Sequence, residues 1–146
     1  MPPSRPSTRV SIRAEFCAAS RLWREDWSPE RNREVYGICA SPHGHGHNYL
    51  LTVTVEGEPD LETGMLMDYT VLQAAVDEHL VRAVDHLNLN VDVPFLDGKV
   101  PTTENLLAAF WRVLLPHLPT GVALHSMELR ESRDTVCTYF GPSDER

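Results

Sequence analysis

The run His43-Gly44-His45-Gly46-His47 holds the densest potential chemistry in the sequence. Histidines at i and i+2 of an extended strand put both imidazoles on one side, a spacing zinc accepts. His45 and His47 are therefore candidate metal ligands, with a third ligand to come from elsewhere and a position left open for substrate. The plain alternative is a glycine/histidine turn with solvated rings. The apolar residues that follow favour the strand and the metal. On a straight strand His43 and His47 lie about 13 Å apart, so His43 serves as a replacement ligand only if the glycines bend the chain.

Cys39 lies just upstream, where a bound cation would stabilise its thiolate. A lone cysteine is more often a buried inert thiol, and proximity to the histidines reverses that preference. Asp85-His86 closes an expected helix. A carboxylate beside an imidazole can hold it charged for proton transfer, although the same dipeptide also serves as an ordinary helix end. Glu131 extends the apolar Met127/Leu129 side of its strand, where a carboxylate suits either a guanidine-like donor pair on a ligand or an ion pair with an arginine.

These residues need elements to position them. Alternation of Val10, Ile12, Ala14, Phe16, Ala18 and Ser20 predicts a half-buried strand over residues 9–19, after a loose tail at 1–8. Charged, irregular residues 21–42 read as a long surface loop. A second alternation runs from His45 to Val55. Asp68 or Thr70 caps a helix over about 69–84, and a second helix starts at Thr102 or Thr103 and stops at Pro116. Residues 122–131 and 135–140 form a final hairpin. The pattern predicts an α+β layer: a four-stranded antiparallel sheet with two helices on one face. The other face, carrying Leu50, Thr52, Thr54, Val122 and Leu124, is mixed rather than fully polar, so sheets pair or close a barrel between subunits.

The chain has 146 residues, 42% of them hydrophobic, which suits a single domain over 9–146 with one core. No apolar run reaches the roughly 20 residues needed to cross a bilayer, and the start resembles no secretory signal, so a cytoplasmic protein without a membrane partner is expected. Three cysteines, Cys17, Cys39 and Cys137, lack framework spacing, and disulfides are not expected. A net charge of −8 argues against a nucleic-acid partner. Charge is uneven: residues 1–36 carry +2 and the remainder −10, so an anion is easier to hold near the N-terminal third.

Five ordered segments, Phe16–Leu22, Cys39–Tyr49, Thr63–Asp68, Asp85–Leu89 and Pro101–Asn105, resemble the 6-pyruvoyltetrahydropterin synthase and 6-carboxytetrahydropterin synthase family, and the resemblance spans about residues 10–141. It implies a T-fold subunit whose sheets join into an inter-subunit barrel. Two trimers would then stack as a hexamer, with active sites between subunits. The implied substrate is 7,8-dihydroneopterin triphosphate. Cys39 matches the family's proton-abstracting cysteine, Asp85 and His86 its proton-relay pair, and His45 and His47 two of its Zn2+ ligands. Thr102, Thr103 and Glu104 match the pterin pocket, and Glu131 the carboxylate that grips the pterin's N2/N3 edge. Zinc would polarise the substrate side chain while triphosphate leaves by elimination. On charge grounds Arg13, Arg21 and Arg24 are candidate phosphate contacts. Ser20 stands where the family has its third zinc-ligand histidine, so the resemblance also implies a site that binds zinc weakly or not at all, or a pterin-binding homologue with altered or lost chemistry. The 6-carboxytetrahydropterin synthases of queuosine synthesis are the alternative within the same family.

Overall fold

The computed structural model describes residues 7–143, so most of the tail expected at 1–8 lies outside the described residues. Strand β1 (Thr8–Ser20) pairs antiparallel with β2 (His45–Gly57) along its full length. The alternation works as expected: Val10, Ile12, Ala14, Phe16, Ala18 and Ser20 are buried and the intervening side chains are exposed. β2 pairs in turn with β4 (Ala123–Arg130), and β4 with β5 (Val136–Tyr139). The expected sheet had four antiparallel strands. A fifth, β3 (Leu87–Asn88), runs parallel to β1 at Ala18 and Ala19, giving the order β3-β1-β2-β4-β5. Two residues are too few to leave a period-2 signature.

The stretch 21–42 is not a structureless loop. Pro29–Tyr36 form α1, with Pro29 at the start and the Ser28 hydroxyl accepting from the Arg31 N–H. It is mostly polar, with Val35 exposed, so no apolar stripe announced it; what it buries is Asn32, whose side chain bonds the backbone of Arg24 and Ser28. The helix expected over 69–84 forms as α2 (Tyr69–Val76), a π turn at Asp77–Val81, and α3 (Arg82–Val84). Asp68 is its cap, accepting from the Thr70 N–H at 2.8 Å. Thr102 caps α4 (Thr103–Leu114), which ends in a 3-10 turn around Pro116.

One core joins the inner face of β1, β2 and β4 to Leu72, Val76 and Leu80 of the first helix and to Leu106, Phe110 and Leu114 of α4. Both long helices therefore cover the same sheet face. Leu124 is a correction: it was expected on the opposite face but is 8% exposed and part of the core. A β-bulge between Thr54 and Val55 explains it, because Ser126 pairs with Thr54 and Leu124 with Val55, leaving His125 as the extra residue that flips the alternation. Among the described residues no helix is long and apolar enough to cross a membrane.

Candidate active site

The β1–β2 register sets Ser20 opposite His45 and Ala18 opposite His47, at the end of the sheet where the chain leaves β1. Period-2 geometry puts His45 and His47 on one side, with ring centroids 4.9 Å apart and planes nearly perpendicular. Tyr49 continues the row, 5.6 Å from the His47 ring and stacked on Phe16 at 4.8 Å. This aromatic row fixes the orientation of the histidines from below.

Three other segments close over that corner. Cys39 sits in the 3-10 turn Gly37–Ala40, and its carbonyl accepts the Leu22 N–H at 2.9 Å, tying the turn to the residues after β1. Thr102 and Thr103 open α4, where the Thr103 hydroxyl donates to the Glu104 carboxylate at 3.2 Å. Glu131 follows the last residue of β4 and brings Oε1 to 3.5 Å from His47 Nε2. Ser20, Cys39, His45, Thr102, Thr103, Glu104 and Glu131 thereby line one cavity of about 280 Å³, together with Leu22 and Pro101. Of the two readings open for Glu131, its close ionisable contact is an imidazole rather than an arginine.

Asp85 and His86 do not line this cavity. Asp85 accepts the Cys17 N–H at 2.8 Å and the His86 Nδ1–H at 2.9 Å; these bonds, the backbone one foremost, hold its carboxyl below the ordinary range. His86 has φ +60°, and its side chain is 81% exposed. His43 is also elsewhere: Gly44, at φ +71°, turns the chain so that His43 lines a separate, larger cavity.

Sequence reasoning put Tyr49 on the histidine face without giving it a role. Its phenol is buried. Burial, then the nearby Glu131 carboxylate, pushes its pKa up to about 12, against the opposing pull of the Ser20 hydroxyl. The tyrosine therefore stays neutral.

His45 Nδ1 is buried without a hydrogen-bond partner among the described residues, and the buried His47 Nε2, also without one, has the Glu131 carboxylate 3.5 Å away. The Ser20 hydroxyl is a neutral oxygen, and no group of three His, Cys, Asp or Glu side chains among the described residues is placed to share one ion. Two imidazoles without a third ligand are fewer than the three protein ligands of a catalytic zinc site.

The model of the 6-pyruvoyl tetrahydropterin synthase family matches residues 9–142. The chain belongs to that family. It is 39% identical over 137 residues to the 6-pyruvoyl tetrahydrobiopterin synthase of Homo sapiens, covering 94% of each protein, and 40% identical over the same length and coverage to that of Pongo abelii. The solved 6-pyruvoyl tetrahydropterin synthase of Caenorhabditis elegans superposes with a TM-score of 0.89 at 32% identity, covering 94% of this chain and 98% of the other. These relatives carry the pyruvoyl name, and the carboxy-type alternative gains nothing from them.

Proposed function

We propose that this chain is a 6-pyruvoyltetrahydropterin synthase-like lyase that eliminates triphosphate from 7,8-dihydroneopterin triphosphate. The observation that carries this reading is the convergence of Cys39, Thr103, Glu104 and Glu131 on one cavity beside the His45–His47 pair. A carboxylate in a partly enclosed cavity suits the adjacent N–H donors of a pterin edge, because two parallel charge-assisted hydrogen bonds fix both orientation and register. Glu131 takes that role, with Thr102, Thr103 and Glu104 along the cavity wall. The Cys39 thiolate removes a carbon-bound proton from the substrate side chain. The electron pair left behind forms a carbon–carbon double bond as the C–O bond to triphosphate breaks. Asp85 holds His86 by its Nδ1, leaving Nε2 to return protons during tautomerisation. His45 and His47 would be the ligands of a zinc ion, which would supply Lewis-acid polarisation of the side-chain oxygens.

Because His86 faces outward while Cys39 faces the cavity, we assign the relay pair to a neighbouring subunit's site in a closed oligomer, a hexamer of two stacked trimers with an inter-subunit barrel. Half-buried Leu50 and Thr52 on the outer sheet face supply surface for such a barrel. Sedimentation should give a hexamer at micromolar concentration, and a stable monomer would defeat the shared site. Mixing inactive Cys39→Ala and His86→Ala chains should restore partial turnover, since some sites would then combine intact halves.

Product analysis from dihydroneopterin triphosphate tests the chemistry. The pyruvoyl product with free triphosphate is expected. Tight pterin binding without any turnover would instead support a binding homologue with lost catalysis, the reading that Ser20 favours.

A further inference from the structure

A short crosspiece, Arg21-Leu22, joins the sheet edge that carries the relay pair to the turn that carries Cys39. Along that edge every second carbonyl of the chain leaving β1 accepts a hydrogen bond: Cys17 from the His86 N–H at 2.6 Å and Ala19 from the Leu89 N–H at 2.8 Å. At Arg21, next in the series, a side chain takes over. Asn90 Nδ2 donates to the Arg21 carbonyl at 2.8 Å and Asn90 Oδ1 accepts the Arg21 N–H at 2.7 Å, so one carboxamide fills the place of a peptide group. The turn presenting it is braced in the same way. Asn88 Oδ1 accepts the Asn90 N–H at 2.9 Å, and Asp92 Oδ2 accepts the Asn88 N–H at 2.8 Å.

On its other side the crosspiece grips the Cys39 turn at two points. The Leu22 N–H donates to the Cys39 carbonyl at 2.9 Å, and Arg21 Nε donates to the Ala40 carbonyl at 3.0 Å. Ser20, Leu22 and Cys39 line the active-site cavity, whereas Arg21 and Asn90 do not. The place of the thiol in that wall is therefore set by the point at which Asn90 holds the crosspiece. Asn90 is itself exposed, so its two bonds add little to the stability of the whole fold. What they fix is a position, and removal of a carbon-bound proton is sensitive to a displacement of the base of about 1 Å.

We propose that Asn90 is a positioning residue for Cys39, acting through Arg21 and Leu22. Its effect on turnover rests on the lyase reading above; its effect on the thiol does not. Two readouts on the full chain test it: the rate of iodoacetamide alkylation at Cys39, with the exposed Cys17 as reference, and steady-state kinetics with dihydroneopterin triphosphate. Asn90→Ala frees the crosspiece and should speed alkylation of Cys39 about fivefold while the Cys17 rate stays the same. It should lower kcat about tenfold with KM within about twofold, because the base is displaced while the pterin contacts remain. Asn90→Asp keeps the acceptor for the Arg21 N–H and loses the donor to its carbonyl, so it should change both readouts in the same direction and by less. Thr70→Ala removes an exposed hydrogen bond to Asp68 beside the start of β1 and should leave both at wild type, which is also what a merely structural Asn90 would do. A wild-type Cys39 alkylation rate in folded Asn90→Ala overturns the proposal. So does kcat held at wild type in an active chain, whatever happens to KM. If Asn90→Ala does not fold, the nearly isosteric Asn90→Asp decides by the same two criteria. Faster alkylation in a chain whose wild type never turns over pterin would refute the lyase reading and leave the role of Asn90 standing.

Discussion

Cys39, Thr103, Glu104 and Glu131 converge from the 3-10 turn, the start of α4 and the end of β4 on one cavity, whereas Asp85 and His86 sit on the surface with the imidazole 81% exposed. The first group is assembled within one chain. The second is held just as firmly, by the Cys17 N–H to Asp85 and the His86 N–H to the Cys17 carbonyl, but is pinned to the edge of β1 and faces away from the fold. Rigid placement without enclosure teaches that firm hydrogen bonding does not by itself make a site. A proton relay on open surface exchanges freely with water, so it gains selectivity only when something covers it. In the proposed oligomer that cover is another subunit.

The largest effect should come from the enclosed half. Cys39→Ala should lower turnover by about a thousandfold while pterin affinity stays within about twofold, because the thiolate acts on a proton rather than on the pterin ring. Calorimetry with steady-state kinetics separates the two, and equal losses in affinity and rate would place Cys39 in binding instead. Glu131→Ala should weaken pterin binding by on the order of 100-fold, about 3 kcal/mol, since it leaves two donors of the ligand unpaired in a cavity. Unchanged affinity with an intact circular dichroism spectrum would remove Glu131 from the pocket.

Ser20→His tests the boundary of the enclosed half. A third imidazole beside His45 and His47 should raise zinc affinity by about tenfold or more and raise elimination activity with it. His43→Ala should leave metal content unchanged, because His43 lines the other cavity. One tightly bound zinc per wild-type chain, lost in His43→Ala, would reverse that assignment.

The smallest effect is one on stability rather than turnover, and it belongs to Asp85 of the exposed pair. The Asp85 carboxyl is held below its ordinary value of 3.8 by the Cys17 N–H and then by His86, so the charged form is favoured by folding. That contribution is fully present above the ordinary value and is lost as pH falls through the lower folded value. Asp85→Asn should therefore flatten the loss of stability below about pH 4 and change little at neutral pH, as urea titrations across the acid range would show. An acid limb identical to that of the wild type would mean the two hydrogen bonds contribute nothing to stability.

Residue pattern determined much of this protein by itself. The i, i+2 histidines, the alternation of β1 and β2, the caps at Asp68 and Thr102 and the apolar stripe of α4 are local properties, set by side-chain periodicity and backbone hydrogen bonding within a few residues. Helix α1 escaped notice because its polar surface carries no stripe, and β3 because two residues show no period. Tertiary structure alone decided which candidates meet. Cavity walls form from residues distant in sequence, and small local turns set their direction: one bulge turned Leu124 into the core, and one left-handed glycine sent His43 to the other cavity. The same applies to charge. Seven arginines before residue 37 foretold an anion-friendly region, but a guanidinium's value to a ligand depends on what already neutralises it. Asp26 claims Arg24, while Trp23 and the Ala40 carbonyl hold Arg21 without cancelling its charge, a distinction made only when the chain folds.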